Sequence, residues 1–248
     1  MSAISVEKPR QVWADLCRVL ATFGVIVIHA CASSFGKFGQ IPESDWLASN
    51  FLDSLVRCSV PLFVMLSGAL ILNGRANSFA PMEILRRIAK IAVPLLVWSV
   101  LYLLYVSYYT GRPVDWLGLL RGASMYHLWF VYMMVGLYAL LPVLLAIFQM
   151  LIGRRDLQIY ILVIWFVVTC VPVYFSMPLL SLLQLTSFLG YGGYFLIGGV
   201  VGSGQRIGCG GLVFWGFVYL IAVAFTFALT WSLSIDKNAG VENAYVYF

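Results

Sequence analysis

The chain has 248 residues, 62% of them hydrophobic and only 10% charged, with a mean hydropathy of +0.95. A soluble domain of this length cannot hide so much apolar surface, so the composition excludes a soluble enzyme and indicates a polytopic protein of the lipid bilayer. The net charge of +5 is accounted for by the membrane topology below and indicates no nucleic-acid partner.

Apolar stretches of spanning length fall roughly over residues 12–35, 51–73, 88–110, 126–150, 157–177, 186–204 and 210–235, at about 20 residues per span. They predict an all-α polytopic transmembrane helix bundle of about seven spans, as a single integral membrane domain over residues 1–248. Lys8 and Arg10, then Arg75, Arg86, Arg87 and Lys90, then Arg154 and Arg155, then Arg206 occupy one set of alternating ends. Lys37, Arg112, Arg121 and Lys237 occupy the other. The excess of cations on the first set predicts a cytoplasmic N-terminus.

The first run, from Cys17 to His29, carries Arg18 and His29 inside an otherwise apolar segment. Eleven residues turn a helix by about three turns plus 20°, so both side chains share one face, about 16 Å apart along the axis. Ionisable groups at membrane depth are costly and mark functional paths by default; a snorkelling arginine and a satisfied core histidine are the structural alternative. Asp15, three residues before Arg18, can pair with it. Ala30-Cys31-Ala32 resembles a signal-peptidase site, but the spans that follow argue for a retained anchor.

The second run is expected to enter from outside, with Asp53 and Arg57 in its first two turns, four apart and in the favourable order for a pair. Such a pair can line a pocket or merely neutralise itself. Arg86, Arg87 and Lys90, closed by Pro94, open the third run on the cytoplasmic side. Guanidinium forks and an ammonium suit a phosphate-bearing donor, and they suit lipid headgroups equally. The fourth run opens with Tyr126-His127-Leu128-Trp129-Phe130, which puts both histidines of the chain at the outer level. His127 is either a pocket residue or a helix-end residue, and Trp129 with Tyr126 is either part of the pocket or of the interfacial aromatic belt. Glycines crowd the sixth run, where Gly198 and Gly202 give the spacing that lets helices approach closely.

Five cysteines (Cys17, Cys31, Cys58, Cys170, Cys209) show no metal-ligand spacing and read as small apolar packing residues, and no metal is expected. A histidine near neutrality can activate a hydroxyl for attack on an acyl group. A cationic inner mouth and a histidine-bearing outer pocket on one helix therefore suggest a group passed from a cytosolic donor to an external acceptor. A transporter or lipid-linked-saccharide translocase has the same polarity.

Several segments together resemble the membrane acyltransferase 3 family, which includes O-acetyltransferases of envelope saccharides such as enterobacterial common antigen. They are the Arg18 to His29 spacing, Arg57-Cys58-Ser59-Val60-Pro61-Leu62-Phe63-Val64-Met65-Leu66-Ser67-Gly68, the Arg87 to Pro94 stretch, His127-Leu128-Trp129-Phe130 with Gly136-Leu137-Tyr138, and Gly193-Tyr194-Phe195-Leu196-Ile197-Gly198. The resemblance spans nearly the whole chain. It implies a bacterial inner-membrane enzyme with His29 as catalytic histidine, Arg18 as its companion, and Arg86, Arg87 and Lys90 near the phosphates of acetyl-CoA, the acyl donor. Asp53, Arg57, His127 and Trp129 are then the pocket for a saccharide hydroxyl. Family members carry a second arginine where this chain has Lys90, which keeps the charge but loses the bidentate fork. Family domains have about ten helices, whereas this chain ends at Asn243-Ala244-Tyr245-Val246-Tyr247-Phe248, a stretch that reads as the approach to a further span. The expectation is a C-terminally truncated domain, with an inactive fragment as one alternative reading.

Overall fold

A computed structural model describes residues 11–74, 81–118, 123–174, 185–204 and 208–237. Lys8, Arg10, Arg75, Arg121, Arg206, the side chains of Tyr126, Cys170 and Lys237, and the final stretch from Asn243 lie outside the described residues. Among the described residues all regular structure is helical: α1 (Val12–Phe35), α2 (Glu43–Val56), α3 (Ser59–Leu72), α4 (Pro81–Thr110), a 3-10 turn (Tyr126–Leu128), α5 (Trp129–Ala139), α6 (Leu141–Leu151), α7 (Arg155–Tyr174), α8 (Leu185–Ser203) and α9 (Cys209–Lys237).

Each apolar run found in the sequence corresponds to a helix or helix pair. Among the described residues α1, the α2–α3 pair taken as one 30-residue span, α4 and α9 are long and apolar enough to cross a bilayer. The α5–α6 pair makes a fifth, bent by 67°. The helices of the fifth and sixth runs, α7 and α8, have 20 and 19 residues and fall outside that group. This is a helical, multi-pass membrane architecture.

Three boundaries differ from the sequence reading, each for a local reason. α2 begins at Glu43 rather than near residue 51, because Pro42 sets up the first turn and Glu43 and Asp45 complement the positive end of the helix dipole. Asp53 and Arg57 consequently lie three turns into the span instead of at its mouth. α4 begins at Pro81, a residue suited to a first turn, so the basic cluster sits one to three turns inside the helix. The fourth span is not continuous: Pro142 offers no N–H to the Tyr138 carbonyl, which takes the Leu140 N–H instead, and the chain bends there.

The chain divides into two compact units, Met1–Ser67 with Gly204–Phe248, and Gly68–Ser203. In the first, α2 packs on both α1 and α9. Cys31, Phe35 and Trp46 form its buried cluster, with Val27, Phe38, Ile41, Leu47 and Trp231 against it. The Trp46 indole meets Phe35 and Phe38 edge-on, with ring centroids 6.0 and 4.8 Å away. Asn50 donates to the Phe227 carbonyl (3.0 Å), tying α2 to α9.

In the second unit α4 packs on α5, and α8 packs on α6 and α7. Glycines of α8 allow close approach, as their spacing predicts: Gly199 faces Leu72 and Phe148, and Gly202 faces Ala69 and Asn73. Asn73 bridges to the Gly199 carbonyl at 2.8 Å. Trp165 of α7 lies directly over Gly193 and donates to the Gly190 carbonyl at 3.1 Å. Gly68 is the least forgiving of these sites, because a Cβ there would run into the Phe195 backbone carbonyl, which cannot swing aside. Gly68→Val is expected to cost about 1–3 kcal/mol or more through this overpacking. The check is the thermal midpoint of the detergent-purified chain; an unchanged midpoint would show that α3 and α8 are not so close.

Candidate active site

α1 is uninterrupted from Val12 to Phe35, so the shared face of Arg18 and His29 stands. Asp15, Arg18, Thr22, His29 and Ser33 all fall within about 60° of one another around this helix, and they are most of its polar side chains. The stripe is knitted along its length: Arg18 pairs with Asp15 at 2.7 Å, and the Thr22 hydroxyl donates to the Arg18 carbonyl at 2.8 Å. The face of α1 buried in the protein carries Ala14, Ala21, Gly24, Cys31 and Phe35. It lies about 130° around the helix from the polar stripe. Small residues thus seat the helix on α2 and leave the polar edge beside that contact. His29 is half-buried there, and the Arg18 side chain is 50% exposed.

Asp53 is 1% exposed and forms an ion pair with Arg57, one turn later on α2. Asn50, fully buried, accepts a long 3.5 Å hydrogen bond from Ser54. Asn50, Asp53, Ser54 and Arg57 therefore form one polar patch on an otherwise apolar span. Two contacts fix the height of this patch on α1. Phe35 meets Trp46 near one end, and Gly24 meets Val56 and Ser59 near the other. Both helices rise by the same increment per residue, so the antiparallel register stays in step between these points. Asp53, seven residues after Trp46, is level with Ile28 and His29, seven and six residues before Phe35. The fold brings the Asp53–Arg57 pair to the level of His29.

The remaining candidates belong to the second unit. His127 sits in the 3-10 turn ahead of α5, half-buried, its ring edge-on to Tyr102 of α4 at 5.2 Å between centroids. Trp129 opens α5, 41% exposed, with Tyr191 of α8 at 5.6 Å. Tyr191, Tyr194 and Trp165 continue this aromatic series at 6.3 and 4.9 Å. Arg86 and Lys90 are exposed and Arg87 half-buried on the first turns of α4. The three cations lie within about 100° of each other around that helix, well away from the face with buried Leu95 and Ser99. Pro94 leaves the Lys90 carbonyl without its intrahelical donor, so the cationic turn carries a polar backbone group as well.

Of the cysteines, Cys31 is buried as the packing reading expects, whereas Cys58 and Cys209 are exposed. Among the described residues no three of His, Cys, Asp and Glu converge as metal ligands. Two polar residues of this region, Asn50 and Tyr219, were not singled out from the sequence. Asn50 had a readable signal, since Asn50, Asp53, Ser54 and Arg57 recur at helical spacing; Tyr219, whose hydroxyl reaches α2, had none.

Residues 11–248 match the family model described as Acyltransferase domain. No curated protein and no solved structure matches the chain.

Proposed function

The chain belongs to the acyltransferase 3 family, and from that premise we propose that this multi-pass membrane acyltransferase moves an acetyl group from cytosolic acetyl-CoA to a hydroxyl of an envelope polysaccharide or lipid-linked sugar. In this reading it lies in a bacterial inner membrane with its N-terminus in the cytoplasm. The observation that carries the proposal is the register of α1 against α2, which puts the Asp53–Arg57 pair level with His29. Neutral His29 takes the proton of the acceptor hydroxyl as its oxygen attacks the thioester carbonyl. The C–S bond then breaks, and the proton held on His29 leaves with the CoA thiolate as a thiol. Arg57 polarises the acceptor side of the pocket, and buried Asp53 holds the guanidinium in place. Arg18, paired with Asp15, keeps a cation about three helical turns from the imidazole. His127 and Trp129 have an aromatic setting suited to a sugar ring.

Arg86, Arg87 and Lys90 receive the phosphates of the donor. Lys90 contributes charge without a bidentate fork. Lys90→Ala is expected to raise the apparent KM for acetyl-CoA roughly tenfold, the low end for one charge-assisted hydrogen bond, and Lys90→Arg to lower it. A KM unchanged in both would remove the cluster from donor binding.

The experiment that tests the function is transfer of radiolabelled acetyl from acetyl-CoA to envelope glycans in membrane vesicles with and without the chain. Label in glycan matched by CoA release supports the enzyme. Movement of a saccharide across the vesicle membrane with no CoA release supports a translocase and overturns the proposal.

A further inference from the structure

The α2–α3 span breaks at Arg57 and Cys58, inside the membrane. Helix ends leave carbonyls without intrahelical donors, and lipid offers none in their place. Pro61 deepens the deficit, since it cannot donate to the carbonyl of Arg57. Leu55, in the last turn of α2, has its carbonyl satisfied from another helix: the Tyr219 hydroxyl of α9 donates to it. The Cys58 thiol is beside the same hydroxyl. Tyr219 is 37% exposed on a helix whose neighbouring Phe217, Leu220 and Ile221 are exposed and apolar. It lies eleven residues into α9, about 15 Å from the start of that helix, which is deeper than an interfacial tyrosine needs to be. A phenol at that depth is costly unless its hydroxyl is bonded. Tyr219 therefore grips the backbone two residues before Arg57 and lies beside the side chain one residue after it. On the other side of the break, Ser59 sits against Gly24 of α1, so the segment is held from both neighbouring helices.

We propose that Tyr219 is a positioning residue that fixes the break between α2 and α3, and with it the placement of Arg57 on Asp53. This deepens the function proposed above and rests on the role given there to Arg57. Without the hydroxyl, the Leu55 carbonyl finds its nearest replacement in the N–H of Ser59, four residues on. That exchange closes the break, draws Ser59 off Gly24 and moves the Arg57 backbone relative to α1.

Tyr219→Phe keeps the ring and removes only the hydroxyl, and the full chain in native membranes is the test system. In acetyl transfer from acetyl-CoA to envelope glycans, kcat is expected to fall about tenfold, the upper range for one lost hydrogen bond, at an unchanged KM for acetyl-CoA. The double variant Tyr219→Phe/Arg57→Ala is expected to be no slower than Arg57→Ala alone, because the two act as one unit. Additive losses in the double variant, or a shifted KM, would overturn the inference. A second readout needs no activity. With the other four cysteines replaced by alanine, Tyr219→Phe is expected to raise the rate of Cys58 alkylation by N-ethylmaleimide at least about threefold, and an equal rate would overturn the inference. Full activity in Arg57→Ala would overturn the proposed role of Arg57 instead, and the alkylation rate would still decide whether Tyr219 holds the break.

Discussion

Replacing His29 with alanine is expected to lower acetyl transfer about 10²- to 10⁴-fold, the range typical of losing a general base, without unfolding the chain. The separation of the two effects follows from where the residue sits. His29 belongs to the polar stripe of α1, not to the face of Ala14, Ala21, Gly24, Cys31 and Phe35 that packs in the protein. Truncating it leaves the seating of α1 on α2 intact. Radiolabelled acetyl incorporation at matched membrane levels, together with the thermal midpoint in detergent, checks both halves. Activity surviving in His29→Ala would remove the imidazole from the chemistry. Arg18→Ala makes the comparison sharper, because an exposed pair three residues apart contributes only about 0.3–0.5 kcal/mol to folding. Any large loss of activity in Arg18→Ala would then be functional.

The second large effect is on stability. Asp53→Leu leaves the Arg57 guanidinium in a mostly buried position without its carboxylate, and removing one partner of a buried pair costs about 3–5 kcal/mol. Removing both charges behaves differently. Asp53→Leu/Arg57→Leu is expected to recover most of that stability, since well-packed apolar residues replace buried ion pairs at little cost, yet to stay inactive. Thermal midpoints of the two variants give the answer: a double variant as unstable as the single one would mean that α2 needs the polar patch for its fold. A single variant as stable as the parent would mean that water reaches Arg57.

Much of the architecture could be read from the residues, because membrane helices leave a strong hydropathy signal. The seven runs, the Asp15–Arg18 and Asp53–Arg57 pairs and the glycine-mediated packing of α8 all follow from composition and spacing along one helix. The start of α2 did not, since Glu43, Ser44, Asp45, Ser49 and Asn50 dilute the apolar signal of a segment that is helical for helix-dipole and amphipathic reasons. The bend at Leu140 and the break at Arg57–Cys58 were marked in the sequence by Pro142 and Pro61, but a proline within a span can also be tolerated unbroken, as Pro94 is in α4. What the sequence could not carry was register. The level shared by His29 and Asp53 depends on Phe35 meeting Trp46, and the grip of Tyr219 on Leu55 joins residues 164 positions apart.

Trp165 in its place over Gly193 has a consequence for how the second unit meets membranes of different thickness. An indole seated over a glycine and bonded to the Gly190 carbonyl acts as a key in a keyway. Sliding α7 along α8 by even one helical turn would break that bond, and toward the C-terminal end it would drive the ring into Leu196 or Ile197. A thinner or thicker bilayer therefore cannot be met by one helix slipping past the other. The pair must tilt together, or the lipid around it must stretch or thin, each at a cost of fractions of a kcal/mol per ångström of mismatch.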